Sequence, residues 1–240
     1  MKYAEPLTEA VLLKRYKRFL ADVRLSDGSV VVAHCPNSGS MKGCWAPNVR
    51  CRISRSDNPK RKLKYTLEQV CMNDVWIMVH TGRPNAIVAE AIQNGTITEL
   101  QGYTDLQRER PYGREKSRID ILLQQPLNEA DPGTGTVYVE VKNLTLTIDG
   151  VGAFPDAVTK RGTKHLRELT MMVEEGHRAV LVFHVGRDDC DATRPAHEID
   201  PEYARTLKQA VKAGVEVLAY RSVMTETGCE ITVRVPFHVD

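Results

Sequence analysis

The chain of 240 residues changes texture once, between residues 81 and 85, and that break limits its fold more than any other feature. Upstream of it, apolar residues recur at every second position in short bursts. Phe19, Ala21, Val23 and Leu25 alternate with Leu20, Asp22 and Arg24, and Asp27-Gly28 supplies a turn before a second run at 29–35. A period of two closed by Asp-Gly marks a β-hairpin. Further strand-like stretches lie at 49–54, 64–70 and 75–80, separated by Pro, Gly and Asn. Five or so short strands in about 80 residues predict a small barrel. An OB-like barrel fits that length, although strand spacing alone does not separate it from an SH3-like one.

Downstream of Thr81-Gly82-Arg83-Pro84-Asn85, read as a linker, helical and strand patterns interleave. Residues 86–93 have helical spacing and stop at Asn94-Gly95. Strands are predicted at 118–124 and 136–142, with the polar stretch 125–135 as a hairpin tip. A helix over 157–175 buries Leu166, Leu169 and Val173 and stops at Gly176. A buried strand follows at 178–185. Asp200-Pro201 opens a helix with Tyr203, Leu207, Ala210 and Val211 on one face and Gly214 past its end. The chain finishes with strands at 215–220 and 230–235. Residues 200–220 therefore form a strand-feeding helix rather than a helix-turn-helix, because 215–220 is too rich in strand formers for a recognition helix. The predicted architecture is an all-β module over 1–82 followed by a mixed-sheet α/β domain over 83–240.

Charge divides at the same place. Residues 1–82 hold 14 Lys plus Arg against 7 Asp plus Glu, a balance of +7; the remainder holds 19 against 24, or −5. A basic module joined to an acidic one points to two electrostatic tasks. No apolar run approaches the ~20 residues of a membrane-spanning helix. Lys14-Arg15-Tyr16-Lys17-Arg18 interrupts any signal-peptide core, so a cytoplasmic protein without membrane contact is expected. Six cysteines, at 35, 44, 51, 71, 190 and 229, show no C-x-x-C spacing and are expected to be small buried hydrophobes.

Two strands carry residues that do not belong in a core. Asp120 interrupts Ser117-Arg118-Ile119-Asp120-Ile121-Leu122-Leu123, and Glu140 and Lys142 share one face of Val137-Tyr138-Val139-Glu140-Val141-Lys142. Paired as a hairpin, these strands bring Asp120, Glu140 and Lys142 together. An E-x-K in a strand is also how an exposed cross-strand ion pair looks. Unpaired charge in an apolar strand, however, costs several kcal/mol, and two such carboxylates suit Mg²⁺ or Mn²⁺. A lysine two residues on can orient an attacking water or offset charge on a phosphate. Asp–x₁₉–Glu–x–Lys is the pattern of PD-(D/E)XK nuclease-like domains. Asp120, Glu140 and Lys142 are thus the expected catalytic residues, and Glu90, a carboxylate in the apolar Val88-Ala89-Glu90-Ala91-Ile92, is a candidate third metal ligand. Arg161, Lys164, His165 and Glu168 make a polar stripe on the following helix, either a solvated face or a second layer around the site. In the basic module, Lys14, Arg15, Lys17 and Arg18 stand with Tyr16 and Phe19, and Lys60, Arg61, Lys62 and Lys64 stand with Tyr65, mixing cations with aromatics. Cations bind phosphates and rings stack bases, so both clusters are candidate nucleic-acid contacts. The loop His34-Cys35-Pro36-Asn37-Ser38-Gly39-Ser40-Met41 lacks the spacing of a phosphate-binding Walker loop.

Taken in order, Leu13-Lys14-Arg15-Tyr16-Lys17-Arg18-Phe19, Cys35-Pro36-Asn37-Ser38-Gly39-Ser40-Met41, Asn58-Pro59-Lys60-Arg61-Lys62, Ser117-Arg118-Ile119-Asp120, Glu140-Val141-Lys142-Asn143, Phe154-Pro155-Asp156-Ala157 and Arg161-Gly162-Thr163-Lys164-His165-Leu166 resemble the bacterial and archaeal sugar fermentation stimulation protein A family. The likeness spans nearly the whole chain. It departs at Ser38, where threonine is expected, and at 188–193, where an aromatic is usual, both expected to lie away from the site. The resemblance implies an OB domain followed by a PD-(D/E)XK nuclease-like domain, with Asp120, Glu140 and Lys142 as the nuclease-type residues. It also implies non-specific DNA binding and a regulatory role in maltose or sugar metabolism. Two functions follow: a Mg²⁺- or Mn²⁺-dependent nuclease fed by a basic barrel, and a non-catalytic DNA-binding regulator on a nuclease fold. The expected partner is nucleic acid, DNA above RNA, and homo-oligomers are left open.

Overall fold

A computed structural model of the protein describes residues 1–124 and 135–239. The expected hairpin tip at 125–135 therefore lies almost entirely outside the described residues.

Five strands close the barrel: β1 (Thr8–Tyr16), β2 (Leu20–Arg24), β3 (Val30–His34), β4 (Val49–Arg55) and β5 (Tyr65–Met72). β1 pairs antiparallel with β2 and β4, β2 with β3, and β4 with β5; the parallel contact of β3 with β5 at Ala33–Tyr65 and His34–Thr66 seals the barrel. This is the OB arrangement. Inward-pointing Leu12, Ala21, Val23, Ala33, Ile53 and Leu67 are fully buried in its core. β6 (Val75–Met78) extends β5 through Asn73-Asp74, both left-handed, the geometry that suits a hairpin's twist. β1 was not anticipated. A register shift between Leu12 and Lys14 breaks the alternation that would have betrayed it.

The second domain begins with α1 (Pro84–Gln93), so Pro84 and Asn85 open a helix instead of ending a linker. Its sheet runs in the order β15 (Cys229–Arg234), β14 (Glu216–Met224), β12 (Arg178–Val185), β9 (Thr136–Leu144), β8 (Ser117–Gln124), β7 (Asp105–Tyr112). β9, β12 and β14 are parallel and the outer strands antiparallel. One face packs on α1 through Ile87, Val88 and Ile92. The other is covered by α2 (Lys160–Glu174) and α3 (Pro201–Ala213) through Leu166, Leu169, Tyr203 and Leu207. Because side chains alternate along β9, Val139 and Val141 join the α1 layer while Glu140 and Leu144 face α2. β7 was not anticipated: its sequence DLQRERPY buries only Tyr112, the make-up of a charged edge strand. A small sheet of β10 (Leu146–Ile148), β11 (Val151–Phe154) and β13 (Thr193–Pro195) was also missed, its strands being too short to show a period.

Helix boundaries follow their caps. α2 starts at Lys160 rather than 157 because Thr159 Oγ1 accepts from Gly162 N at 3.0 Å, and the Phe154–Pro155 bond before it is cis. Met172 takes the core position expected of Val173, which is half-buried. Asp200 caps α3 and left-handed Gly214 ends it. All six cysteines are free and buried. Among the described residues no helix is long and apolar enough to cross a membrane.

Ion pairs and backbone contacts join the two domains. Arg83, at the start of α1, grips the buried Glu68 of β5 with Nε and Nη2, at 3.0 and 2.6 Å. Asp156 accepts from Ser40 Oγ at 2.9 Å and Met41 N at 3.0 Å. Asn143 Nδ2 donates to Met78 O at 3.0 Å. The first seven residues leave the barrel: Tyr3 N and Leu7 N donate to Thr227 O and Glu226 O, on the turn between β14 and β15.

The β7–β8 turn is held from α2. Glu168, fully buried, accepts from Glu115 N at 2.8 Å, and Lys164 Nζ donates to Glu115 O at 2.5 Å. Gly113 sits in this turn at φ +72°, and a Cβ there would collide with the Glu168 carboxylate. Gly113→Ala should therefore cost about 2–4 kcal/mol, ~1 from the left-handed backbone and the rest from displacing a buried carboxylate. Gly102, at φ +81° in open space, should cost only ~1 kcal/mol as Gly102→Ala. Urea denaturation of both variants checks the difference.

Candidate active site

The facing surfaces of the two domains leave a cleft of about 450 Å³. Asp120, Glu140 and Lys142 lie on its floor. β8 and β9 pair from Ile121–Val139 outward. At Asp120 the carboxylate takes the place of the ladder: Oδ2 accepts from Val141 N at 2.7 Å, and Oδ1 accepts from Asn85 Nδ2 at 2.7 Å. Glu140 is 1% exposed. Its Oε1 accepts from Lys142 Nζ at 2.5 Å and from His165 Nδ1, while its Oε2 is buried with no partner. Arg161 Nε donates to His165 Nε2 at 3.3 Å, so the His165 proton sits on Nδ1, facing Glu140.

The two carboxyls are pushed apart electrostatically. Burial, and then the nearby Glu140 charge, raise the Asp120 carboxyl to about 6, against the opposing pull of Lys142, Val141 N–H and Asn85. Burial pushes Glu140 the same way, but the Lys142 ammonium and the His165 hydrogen bond outweigh it and hold Glu140 below its ordinary value. The floor thus carries one carboxylate fixed by an ammonium and an imidazole N–H, and one short of positive charge.

The other expected residues divide. Arg161 and His165 face the cleft. Lys164 and Glu168, one position of the same stripe further round, clamp the β7–β8 turn. Glu90 is a correction. It lies on the opposite side of the sheet, half exposed, in an ion pair of 2.7 Å with the Met1 amine. Its apolar neighbours pack inward on α1 while Glu90 itself points out. Arg15 is a second correction. It is half-buried, and its Nη2 donates to Asn37 O at 2.8 Å and Gly39 O at 2.9 Å, so it braces a loop. Arg61 folds back to donate to Thr66 Oγ1 at 2.9 Å, and Lys64 Nζ reaches Asn58 O at 3.2 Å. Lys14, Lys17, Arg18, Lys60, Lys62 and Lys64 are exposed. Ser38, expected to lie away from the site, lines the cleft with Asn37 and Gly39. Sequence reasoning missed Asn85, Arg118 and Asn143. Asn85 and Asn143 carry no charge to stand out, and Arg118 is one of many arginines; only the fold brings them here.

The donor chemistry fits a hard cation. Asp120 and Glu140 offer carboxylate oxygens, and the unpartnered Glu140 Oε2 is the atom a cation would satisfy. His165 is not a free nitrogen donor, as both ring nitrogens are engaged. Among the described residues no group of three His, Cys, Asp or Glu side chains is placed to hold a metal, so water, backbone or substrate oxygens would complete the shell.

Residues 82–228 match the family model described as the sugar fermentation stimulation protein RE domain, and residues 13–79 match the SfsA N-terminal OB domain. The chain belongs to the sugar fermentation stimulation protein family. A family homolog from Geobacter sulfurreducens is 52% identical over 231 residues, covering 96% of both chains. One from Shewanella baltica is 54% identical over 228 residues, covering 95% of both. Among solved structures, Pyrococcus furiosus SfsA in complex with Ca²⁺ superposes with a TM-score of 0.87 at 25% identity, covering 99% of this chain and 98% of that one. The OB barrel and mixed-sheet domain are thus the family's architecture.

The raised Asp120 carboxyl makes a prediction about the metal-free protein. Between its ordinary value of 3.8 and about 6, the folded protein holds a proton that the unfolded chain has released. Stability contributed by this group therefore falls as pH rises through that window. Asp120→Asn mimics the protonated form. In EDTA it should match the parent near pH 4 and exceed it at pH 7 by up to about 3 kcal/mol. Urea denaturation across that range checks this; a gain that does not depend on pH would refute it.

Proposed function

We propose that this protein is a divalent-metal-dependent nuclease that binds nucleic acid with its basic barrel and hydrolyses phosphodiesters in the interdomain cleft. One observation carries the reading. A buried glutamate has one oxygen fixed by a lysine and a histidine and the other left unsatisfied, beside an aspartate whose carboxyl is raised by burial and by that glutamate. The Ca²⁺ of the P. furiosus protein supports a divalent cation in the family's fold. Two oxygen donors and a place for water suit Mg²⁺ or Mn²⁺ here.

When bound between Asp120 and Glu140, such a cation would act as a Lewis acid toward a phosphoryl oxygen. The chain's own residues do the remaining work. Asn85 and the Val141 amide fix both oxygens of Asp120. His165 and Lys142 fix Glu140 Oε1. The Lys142 ammonium, 15% exposed at the cleft floor, lies where it can orient an attacking water and offset negative charge gathering on the phosphate. The cationic Arg118 and Arg161 stand in the same cleft for flanking phosphates. In the overall step a water oxygen bonds to phosphorus, the ester P–O bond breaks, and the water's proton is passed on to the departing oxygen. The exposed lysines and Arg18 of the barrel hold the nucleic acid through sequence-independent charge on its phosphates.

The decisive experiment incubates labelled DNA and RNA with the protein in Mg²⁺, Mn²⁺ or EDTA. Lys142→Ala should lose about 10²–10⁴-fold in cleavage while binding the same substrate with unchanged affinity. Glu90→Gln should cleave like the parent. A parent that binds DNA but cleaves nothing in either metal would establish instead a DNA-binding regulator on a nuclease fold. The binding term has its own signature: affinity should fall steeply with salt, about one log-log unit per phosphate contact, for every sequence alike.

A further inference from the structure

We propose that the outer face of β1–β3 is a platform for single-stranded nucleic acid, on which bases stack and from which the strand passes into the cleft. This rests on the nucleic-acid reading above and adds the form of the substrate and the residues that select it.

The strand register defines the face. Lys14, Asp22 and Val32 lie across from one another, as do Tyr16, Leu20 and His34, and Arg24 lies across from Val30. Their neighbours Ala21, Val23 and Ala33 point into the barrel. Among the described residues six large hydrophobic side chains are exposed; Val30 and Val32 lie along this face, and Phe19 lies in the β1–β2 turn at its Leu20–His34 end. Phe19 is 49% exposed at the tip of the β1–β2 turn. Nothing in the folding of the barrel calls for an exposed ring there, and Lys17 and Arg18 beside it adopt left-handed backbone to make the turn. Three carboxylates oppose a polyanion here: Asp22 on the face, which accepts from the Tyr16 hydroxyl at 3.0 Å, and exposed Asp27 and Asp57 in the β2–β3 and β4–β5 turns, the latter outnumbered by the lysines of its own loop.

Charge surrounds this apolar floor. Lys17 and Arg18 stand at one end, and the β4–β5 loop brings exposed Lys60, Lys62 and Lys64. Arg61 of that loop donates to Thr66, the residue paired with His34. The β1–β2 and β4–β5 loops are the pair that OB folds use around an oligonucleotide. Phosphates of a duplex need cations alone, because its bases are stacked on each other. Rings and aliphatic side chains ringed by cations complement a strand whose bases are free.

The platform is also tied to the cleft. Cys35 N donates to Phe19 O at 2.8 Å. The Arg15 guanidinium joins Arg18 O to Asn37 O and Gly39 O, and Asn37 and Gly39 form a wall of the cleft. The stacking turn and the cleft wall are one braced unit.

Fluorescence anisotropy of the full-length protein in EDTA tests this without cleavage, using labelled oligo-dT, oligo-U and a DNA duplex of equal length. Single strands should bind more tightly than duplex. Phe19→Ala, an exposed substitution that leaves the core untouched, should weaken oligo-dT binding roughly 5- to 100-fold and duplex binding less than twofold. Phe19→Trp should retain affinity, and its emission should be quenched by oligo-dT. Replacing Lys60, Lys62 and Lys64 together by Ala should weaken single strand and duplex about equally. Preference for duplex, no binding to either form, or single-strand affinity unchanged in Phe19→Ala would overturn the platform. Absence of metal-dependent cleavage alongside Phe19-dependent binding would remove only the hydrolytic reading and leave the platform standing. Whether oligo-dT or oligo-U binds better decides DNA or RNA within the same proposal.

Discussion

A carboxylate buried between a sheet and a helix organises this protein. Removing Glu140 from water costs several kcal/mol, and the cost is offset only if its charge is met closely. Lys142, two residues along the same strand face, and His165, on the helix that covers that face, meet it at a single oxygen. The seating of α2 is therefore part of the electrostatics of the site. That helix is held independently at its other polar positions, where Glu168 and Lys164 hold the β7–β8 turn. The turn leads into β8 and so to Asp120. One helix thus fixes both acidic residues, one by direct contact and one through the strand that carries it.

The cleft needs the barrel as well as the mixed-sheet domain. Asp156 holds the 40–41 backbone and side chain, Asn143 takes the Met78 carbonyl, and Arg83 closes on Glu68 with a bidentate pair. Glu68 is fully buried and also accepts from Ser54 Oγ at 2.7 Å, so this clamp is satisfied on both oxygens. Asn85 lies two residues beyond Arg83 at the start of α1, and through it the clamp reaches Asp120. The barrel and the sheet that carries Asp120 and Glu140 are in this way parts of one braced frame.

What the sequence showed, and what it hid, follows from the range of each interaction. Asp120 and Glu140 were visible because a charge inside an apolar strand contradicts its surroundings locally. The same logic misplaced Glu90. Its apolar neighbours Ala89 and Ala91 pack inward, but a helix turns about 100° per residue, and Glu90 emerges on the far side of the sheet. Arg15 looked like its cationic neighbours, since nothing in a run of basic residues tells which one a loop carbonyl will capture. Asn85 and Ser38 carry no signal of their own; they matter because strands some distance away in sequence place Asp120 and the cleft beside them. β1 and β7 were hidden by a bulge and by edge-strand charge, both of which erase the period that reveals a strand.

The unsatisfied oxygen of Glu140 remains the most informative atom in the molecule. A polar pair kept only for stability could be replaced by apolar side chains of similar volume at little cost. An unfilled oxygen alone does not set Glu140 apart, since Glu168, which holds a turn, also keeps Oε2 buried without a partner while Glu68 is filled on both oxygens. Glu140 differs in lining the cleft next to Asp120, where burial and a like charge both oppose ionisation of the aspartate. The Lys142 ammonium and the His165 N–H account for one oxygen of Glu140 and leave the other without a partner. A cation there would satisfy that oxygen and favour ionised Asp120 at once, removing both defects with a single charge. The electrostatic cost of holding these two carboxylates together is the energy a cation bound there would relieve, and this connects the fold's least comfortable residues to the chemistry proposed for them.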